Sequence, residues 1–259
     1  MKKFTATQKI GLVLVILVVG ITLIGFFYTP YDPNKMDGLS KNLAPSLSHP
    51  FGTDNFGRDI LSRVMDGAKT TFLIAIATVV IGAVIGSIVG AITGYFGGVI
   101  DECLMRFNDV VASIPSILLA LLVVSIMGIG KYKIIFALGI IFIPSFARVI
   151  RSEFVAQKQL DYVKNARLMG ASHFRIMFLH IMPNTLPILL PSLAIGFNNA
   201  VLAEASMSYL GLGVQPPDPS LGRMLSDAQS YLMTAPWYCI APGVMIIVTV
   251  LGFSLLVER

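Results

Sequence analysis

The residues that could do covalent or metal chemistry are few and far apart. Three histidines (His49, His173, His180) and two cysteines (Cys103, Cys239) form no C-x-x-C pair, and no histidine is spaced to work with an inward serine or aspartate. Neither a disulfide framework nor a thiolate metal site follows, and a membrane-embedded hydrolase, the main alternative from another class, finds no catalytic set. A phosphate-cradling loop would read G-x-x-x-x-G-K-[ST]. Its nearest approach, Gly130-Lys131, has Ser125 at the first glycine position and Tyr132 after the lysine. The chain is therefore expected to hold no catalytic residue, cofactor or metal of its own. A channel is disfavoured because no filter-like carbonyl loop or ring-forming charged stretch occurs.

The remaining polar chemistry is that of recognition and passage. Asp54, Arg58 and Asp59 lie in the string FGTDNFGRD, close enough to pair with one another. They fit a stable outer cap or a docking surface for an external protein, and local pairing needs no partner to explain it. Asn198, Asn199 and Glu204, with Asp109, interrupt or flank apolar runs, where polar groups tend to face a bundle interior or a water-filled route. The first three are candidate pathway residues. Pro115 and Pro191 each remove a backbone hydrogen bond and can bend the helix that carries them.

The elements that must position these residues are apolar. Hydrophobic residues fill 55% of the 259 positions and charged ones 13%, against about 25% charged in soluble domains. Apolar runs cover Ile10 to Phe27, Thr71 to Gly94, Val110 to Ile129, Ile134 to Phe146, Leu186 to Met207 and Trp237 to Leu256. Inside lipid every backbone polar group needs an internal partner, and runs without period-two alternation meet that need as helices. The expected fold is all-α, a polytopic membrane protein with about six transmembrane helices. The first run is too long for a cleaved signal and reads as an uncleaved span.

With the N-terminus inside, eleven of nineteen Lys/Arg residues fall on the cytoplasmic side: Lys2, Lys3, Lys9, Arg106, Arg148, Arg151, Lys158, Lys164, Arg167, Arg175 and Arg259. The net charge of +5 contains no block of basic residues able to neutralise successive phosphates, so no nucleic-acid partner is expected. The resulting organisation is an N-terminal span (1–30), an outer loop and cap (31–70) and a core of five spans (71–256) that holds a cytoplasmic loop at 148–183.

That inner loop reads as two short helices, with Gly170 ending the first, Ser172 capping the second and Pro183 stopping it. Tyr162, Ala166 and Met169 form a narrow apolar stripe, while Lys158, Asp161, Lys164 and Arg167 face elsewhere. Further on, Ser220 can cap a short helix whose apolar face carries Leu221, Met224, Leu225, Ala228, Tyr231 and Leu232.

The string DYVKNARLMGASHFRIMFLHIMPN, from Asp161 to Asn184, resembles the cytoplasmic signature of ABC-importer permeases, with Ala166, Gly170 and Pro183 in register. Lys164, Asn165, His180 and Met182 depart from the generic pattern. Three more strings, HPFGTDNFGRDILSRV, GYFGGVIDECLMRFNDVVASIPS and AEASMSYLGLGVQPPDPS, resemble the dipeptide, oligopeptide and nickel branch, in particular its second, C-type permease. The sequence ends at Arg259, short of the charged tail that the resemblance leads one to expect.

The resemblance implies a multi-pass permease subunit in the cell membrane of a prokaryote. It would pair with a second permease subunit, two ABC ATPase subunits that hold ATP and Mg, and an extracytoplasmic substrate-binding protein. Ala166, Gly170, Ala171 and Pro183 would then form the contact that couples the ATPases to the membrane helices. Peptides are the first expectation for substrate, and nickel or a metal chelate the second.

Overall fold

The computed structural model describes residues 5–258, so Lys2, Lys3 and Arg259 of the charge argument lie outside the described residues. Among those residues the secondary structure is helical, apart from one isolated antiparallel bridge between Thr53 and Asp59. Five helices are long and apolar enough to cross a membrane, and a sharply bent pair makes a sixth crossing if it counts as one span. Polytopic all-α architecture is thus what the apolar runs produce.

α1 (Ala6–Phe27) starts at a capping box, in which the Thr5 hydroxyl accepts from the Gln8 amide and the Gln8 side chain accepts from the Thr5 amide. α2 (Ile60–Phe96) spans 37 residues, about 55 Å of helix at 1.5 Å per residue, well beyond the ~30 Å of a hydrocarbon core. α3 (Gly98–Ser113) and α4 (Ser116–Met127) meet at 93°, so the single run expected over Val110 to Ile129 is broken. Pro115 is the cause: Ile114 ahead of it is driven to extended angles, which ends α3. α5 (Lys131–Gln157) swallows the short run at Ile134 to Phe146 and absorbs Pro144 in its interior.

α6 (Asp161–Leu168) and α7 (His173–Arg175) are the two short helices expected in the loop before Pro183. α7 does not stop at Pro183. It passes through a π-helical turn at Ile176–Ile181 into α8 (Met182–Tyr209), making one apolar helix from His173 to Tyr209. The π turn explains how proline is tolerated: the Met182 amide reaches back five residues to the Met177 carbonyl, and the Asn184 side chain donates to the His180 carbonyl at 2.8 Å. α9 (Leu221–Ala228) is capped by Ser220 as expected, and α10 (Pro236–Val257) follows.

Two further boundaries differ from the sequence expectation. The outer segment placed at 31–70 is helical from Ile60, because Asp59 caps α2 by accepting from the Ser62 amide at 2.8 Å. The loop placed at 148–183 begins as the last turns of α5, which run on to Gln157.

The chain divides into two compact units. In the first (1–76, 123–135 and 197–259), α1 packs along α10 through small residues: a Cβ at Gly11 would lie 2.6 Å from the Leu256 nitrogen. In the second (77–122 and 136–196), α2 presents Gly82, Gly86, Gly90 and Gly94 to α5, a four-residue period that brings the two backbones together. Cβ atoms there would sit 2.4–2.7 Å from Phe142, Ile143, Ala147 and Phe154, so nothing larger than glycine fits without moving α5.

Candidate functional site

The elbow formed by α6 and α7 is built on the second unit. Val163, Ile176, Met177 and Ile181 are buried against Ala91 and Tyr95 of α2 and Ile150 and Phe154 of α5, with Tyr162, Ala166 and Ala171 partly covered beside them. The apolar stripe is therefore centred on Val163. Met169, expected to continue it, points to solvent instead.

Polar contacts fix the elbow further. Lys158 donates to the Gly94 carbonyl at 2.7 Å, Tyr95 Oη and His173 Nδ1 share a hydrogen bond of 2.8 Å, and the Arg167 guanidinium stands 5.9 Å from the Tyr95 ring centre. Arg151 grips Asp101 through two parallel bonds of 2.5 and 2.6 Å, tying α5 to α3.

The reversal itself is a Schellman closure. The Gly170 amide donates to the Arg167 carbonyl and the Ala171 amide to the Ala166 carbonyl, both at 3.0 Å. Gly170 sits at φ +81°, in the left-handed region, and apart from its chain neighbours nothing lies within 4 Å of where a Cβ would stand. The Ser172 hydroxyl then accepts from the Arg175 amide and starts α7. Of the four expected coupling residues, the turn unites Ala166, Gly170 and Ala171, whereas Pro183 lies in the first turn of α8.

Around this turn the large apolar side chains Leu168 and Met169 are 85% and 88% exposed, and Leu160, Phe174 and Leu179 are exposed as well. A rigid elbow that leaves so much apolar surface uncovered is suited to burial against another protein. Sequence reading found the turn through Gly170 and Ser172. It missed this exposed set, because at Leu168 and Phe174 hydrophobicity alone does not tell core from contact.

The segment expected to form an outer cap has a different character. Asp54 accepts from the amides of Phe56 and Arg58 at 2.8 and 2.9 Å and from Arg58 Nε at 2.6 Å, with Arg63 Nε 3.7 Å away. Asp59 takes His49 Nδ1 at 2.9 Å on one oxygen and the Ser62 amide and hydroxyl on the other. Arg63, 1% exposed, also donates to the Pro33 carbonyl at 3.0 Å. Asp54, Arg58 and Asp59 are buried and paired within the segment, where they act as its internal ties.

The candidate pathway residues are not brought together. Asn198 is buried and donates to the Val250 carbonyl and the Ser254 hydroxyl of α10, both at 3.2 Å. Asn199 is exposed. Glu204 is wholly enclosed, accepting from the Ser208 hydroxyl at 2.6 Å with the hydroxyls of Thr71 and Ser220 beside it. Asp109, grouped with them in the sequence, pairs with Arg148 at 2.8 Å on exposed surface.

Several apolar helices, with a Schellman-closed elbow in the connection between two of them, define a polytopic helical membrane protein. Residues 82–259 match the family described as binding-protein-dependent transport system inner membrane component, and the chain belongs to that family. It is 40% identical to a glutathione transport system permease protein, GsiD, of Escherichia coli over 243 residues, 93% of this chain and 80% of that one. To the dipeptide transport system permease protein DppC of Haemophilus influenzae it is 34% identical over 253 residues, 95% of this chain and 86% of that one. Crystal structures of the inward-facing MetNI methionine ABC transporter share its fold, with a TM-score of 0.58 at 21% identity over 76% of this chain and 96% of that one, and 0.54 at 18% in a second crystal form. The protein is a permease subunit of an ABC importer in the inner membrane.

Proposed function

We propose that this chain forms half of the translocation pathway of an importer for small peptides, with its N-terminus in the cytoplasm. Two ATPase subunits, which hold ATP and Mg, seat the Leu160–Phe174 elbow in a surface groove. A second permease subunit completes the pathway, and an extracytoplasmic binding protein delivers the solute to the side that carries the cap. The division into an N-terminal span, an outer cap and a core with a coupling elbow serves this arrangement.

The observation that carries the reading is the elbow: a rigid turn with Leu168 and Met169 projecting, packed directly on α2 and α5. When the ATPases close on ATP, a rigid elbow passes their displacement to the helices it rests on, which is how a rigid-body motion becomes alternating access. Peptides are favoured as cargo because GsiD and DppC are named for glutathione and dipeptide transport, and both solutes are short peptides. Asp54, Arg58 and Asp59 serve by holding the cap in shape, so that its outer surface can receive the binding protein.

The test is reconstitution of the chain with its partner subunits in lipid vesicles, with ATP inside and the loaded binding protein outside. ATP-dependent accumulation of a labelled dipeptide supports the reading. Accumulation without ATP, or of no peptide at all, overturns it.

A further inference from the structure

A cavity of about 280 Å³ opens in the first unit between the early turns of α2, the start of α5 and the loop ahead of α9. Two ion pairs rim it: Lys69 with Asp66, and Lys131 Nζ with Asp218 Oδ2 at 2.8 Å. Leu73 on α2 and Tyr132 on α5, both largely exposed, add an apolar and an aromatic side chain to its lining. The ion-paired side chains are partly open to solvent, within reach of a solute.

Its place follows from the length of α2. That helix exceeds a hydrocarbon core by about 25 Å, and Arg63, Asp66 and Lys69 all lie in its first turns, ahead of the apolar stretch that begins near Thr71. The cavity thus sits at the edge of the lipid on the end of α2 that carries the cap.

We propose that this cavity is a subsite for the two charged ends of a small zwitterionic peptide, a proposal that rests on the peptide-import reading. Two ammonium groups and two carboxylates on one rim have no net charge, so a simple anion or cation gains little by entering. A ligand bearing both charges gains at both ends. Each ammonium has three donors and each carboxylate about four acceptor positions, so Lys131 and Asp218 can keep their mutual bond while each takes a terminus of the ligand. The side chain of the peptide then rests on Leu73 and Tyr132. Pairs this exposed bind weakly, which suits a site that must release its cargo onward.

The test uses the complete purified transporter in lipid nanodiscs, without binding protein, and follows saturation-transfer NMR of L-alanyl-L-phenylalanine at millimolar concentration. Transfer to the free peptide is expected, falling about threefold to fivefold when the peptide is C-amidated or N-acetylated. Lys131→Met should lower transfer to the free peptide by a similar factor and erase the difference made by amidation. Lys69→Met serves as a second variant on the other pair, and co-purification of all subunits verifies assembly. No transfer with the wild type, equal transfer to blocked and free peptide, or transfer unchanged in both variants would each overturn the proposal. Vesicle uptake of the same dipeptide separates the two ideas: if uptake is absent the peptide-import reading fails, whereas uptake without a subsite signal sinks the cavity proposal alone.

Discussion

The Ala171 amide closes on the Ala166 carbonyl at 3.0 Å, spanning Gly170 and locking the end of α6 to the start of α7. This bond makes the connection a rigid elbow, and it depends on Gly170 holding φ at +81°.

Gly170→Asp therefore strains the turn without any steric clash, at a cost of about 1–2 kcal/mol in the left-handed region. Reconstituted transporter carrying it should hydrolyse ATP while accumulating little solute. Gly170→Asn, which tolerates those angles better, should keep more of the uptake. Equal uptake by wild type and Gly170→Asp would refute the role given to the turn.

Leu168→Asp or Met169→Asp changes an exposed side chain with no packing role in the subunit. Thermal unfolding of the isolated subunit should be unchanged, while affinity for the ATPase falls about tenfold or more in a binding titration. Unaltered affinity in both variants would place the ATPase contact elsewhere.

Pro183→Ala should be mild, with uptake within about twofold of wild type, since it restores an amide at a place where the helix already continues through its π turn. Severe loss would mean that the π turn itself has to persist for transport.

Asp54→Ala leaves Arg58 and Arg63 buried without their shared carboxylate, a loss of about 3–5 kcal/mol. Limited proteolysis of membranes should then cut the chain within residues 31–59. Lys164→Ala, which removes an exposed pair with Asp161, should leave the cleavage pattern as it was.

Gly90→Val sets side-chain atoms against the Ala147 carbonyl, which a Cβ alone would approach to 2.4 Å. The melting temperature of the purified subunit should fall by several degrees, as overpacking costs about 1–3 kcal/mol. Gly20→Ala, at a position with nothing within 4 Å, is the matched control and should be neutral.

The spans were legible because lipid leaves a chain of this composition few alternatives, and the elbow because Gly170 and Ser172 are end signals with a mechanism. Less was legible where tertiary structure overrides local rules. Arg63, Asp66 and Lys69 hid the true start of α2, since charges near a span read as loop until a cap is seen to bury Arg63. Pro183 read as a stop because a π turn a few residues earlier leaves no trace in composition. The pathway candidates scattered for a related reason: polarity within an apolar run equally marks a bond between neighbouring helices, as at Asn198, and an enclosed hydroxyl cluster, as at Glu204.

The central claim is that the elbow projects into the cytoplasm and is held by the ATPase. Its most direct test replaces Cys103 and Cys239 by serine, introduces Met169→Cys, and treats sealed vesicles with a membrane-impermeant maleimide. Inside-out vesicles stripped of ATPase should label, readdition of the ATPase should protect the thiol, and right-side-out vesicles should stay unlabelled. Labelling of right-side-out vesicles, or no protection by the ATPase, would contradict the account.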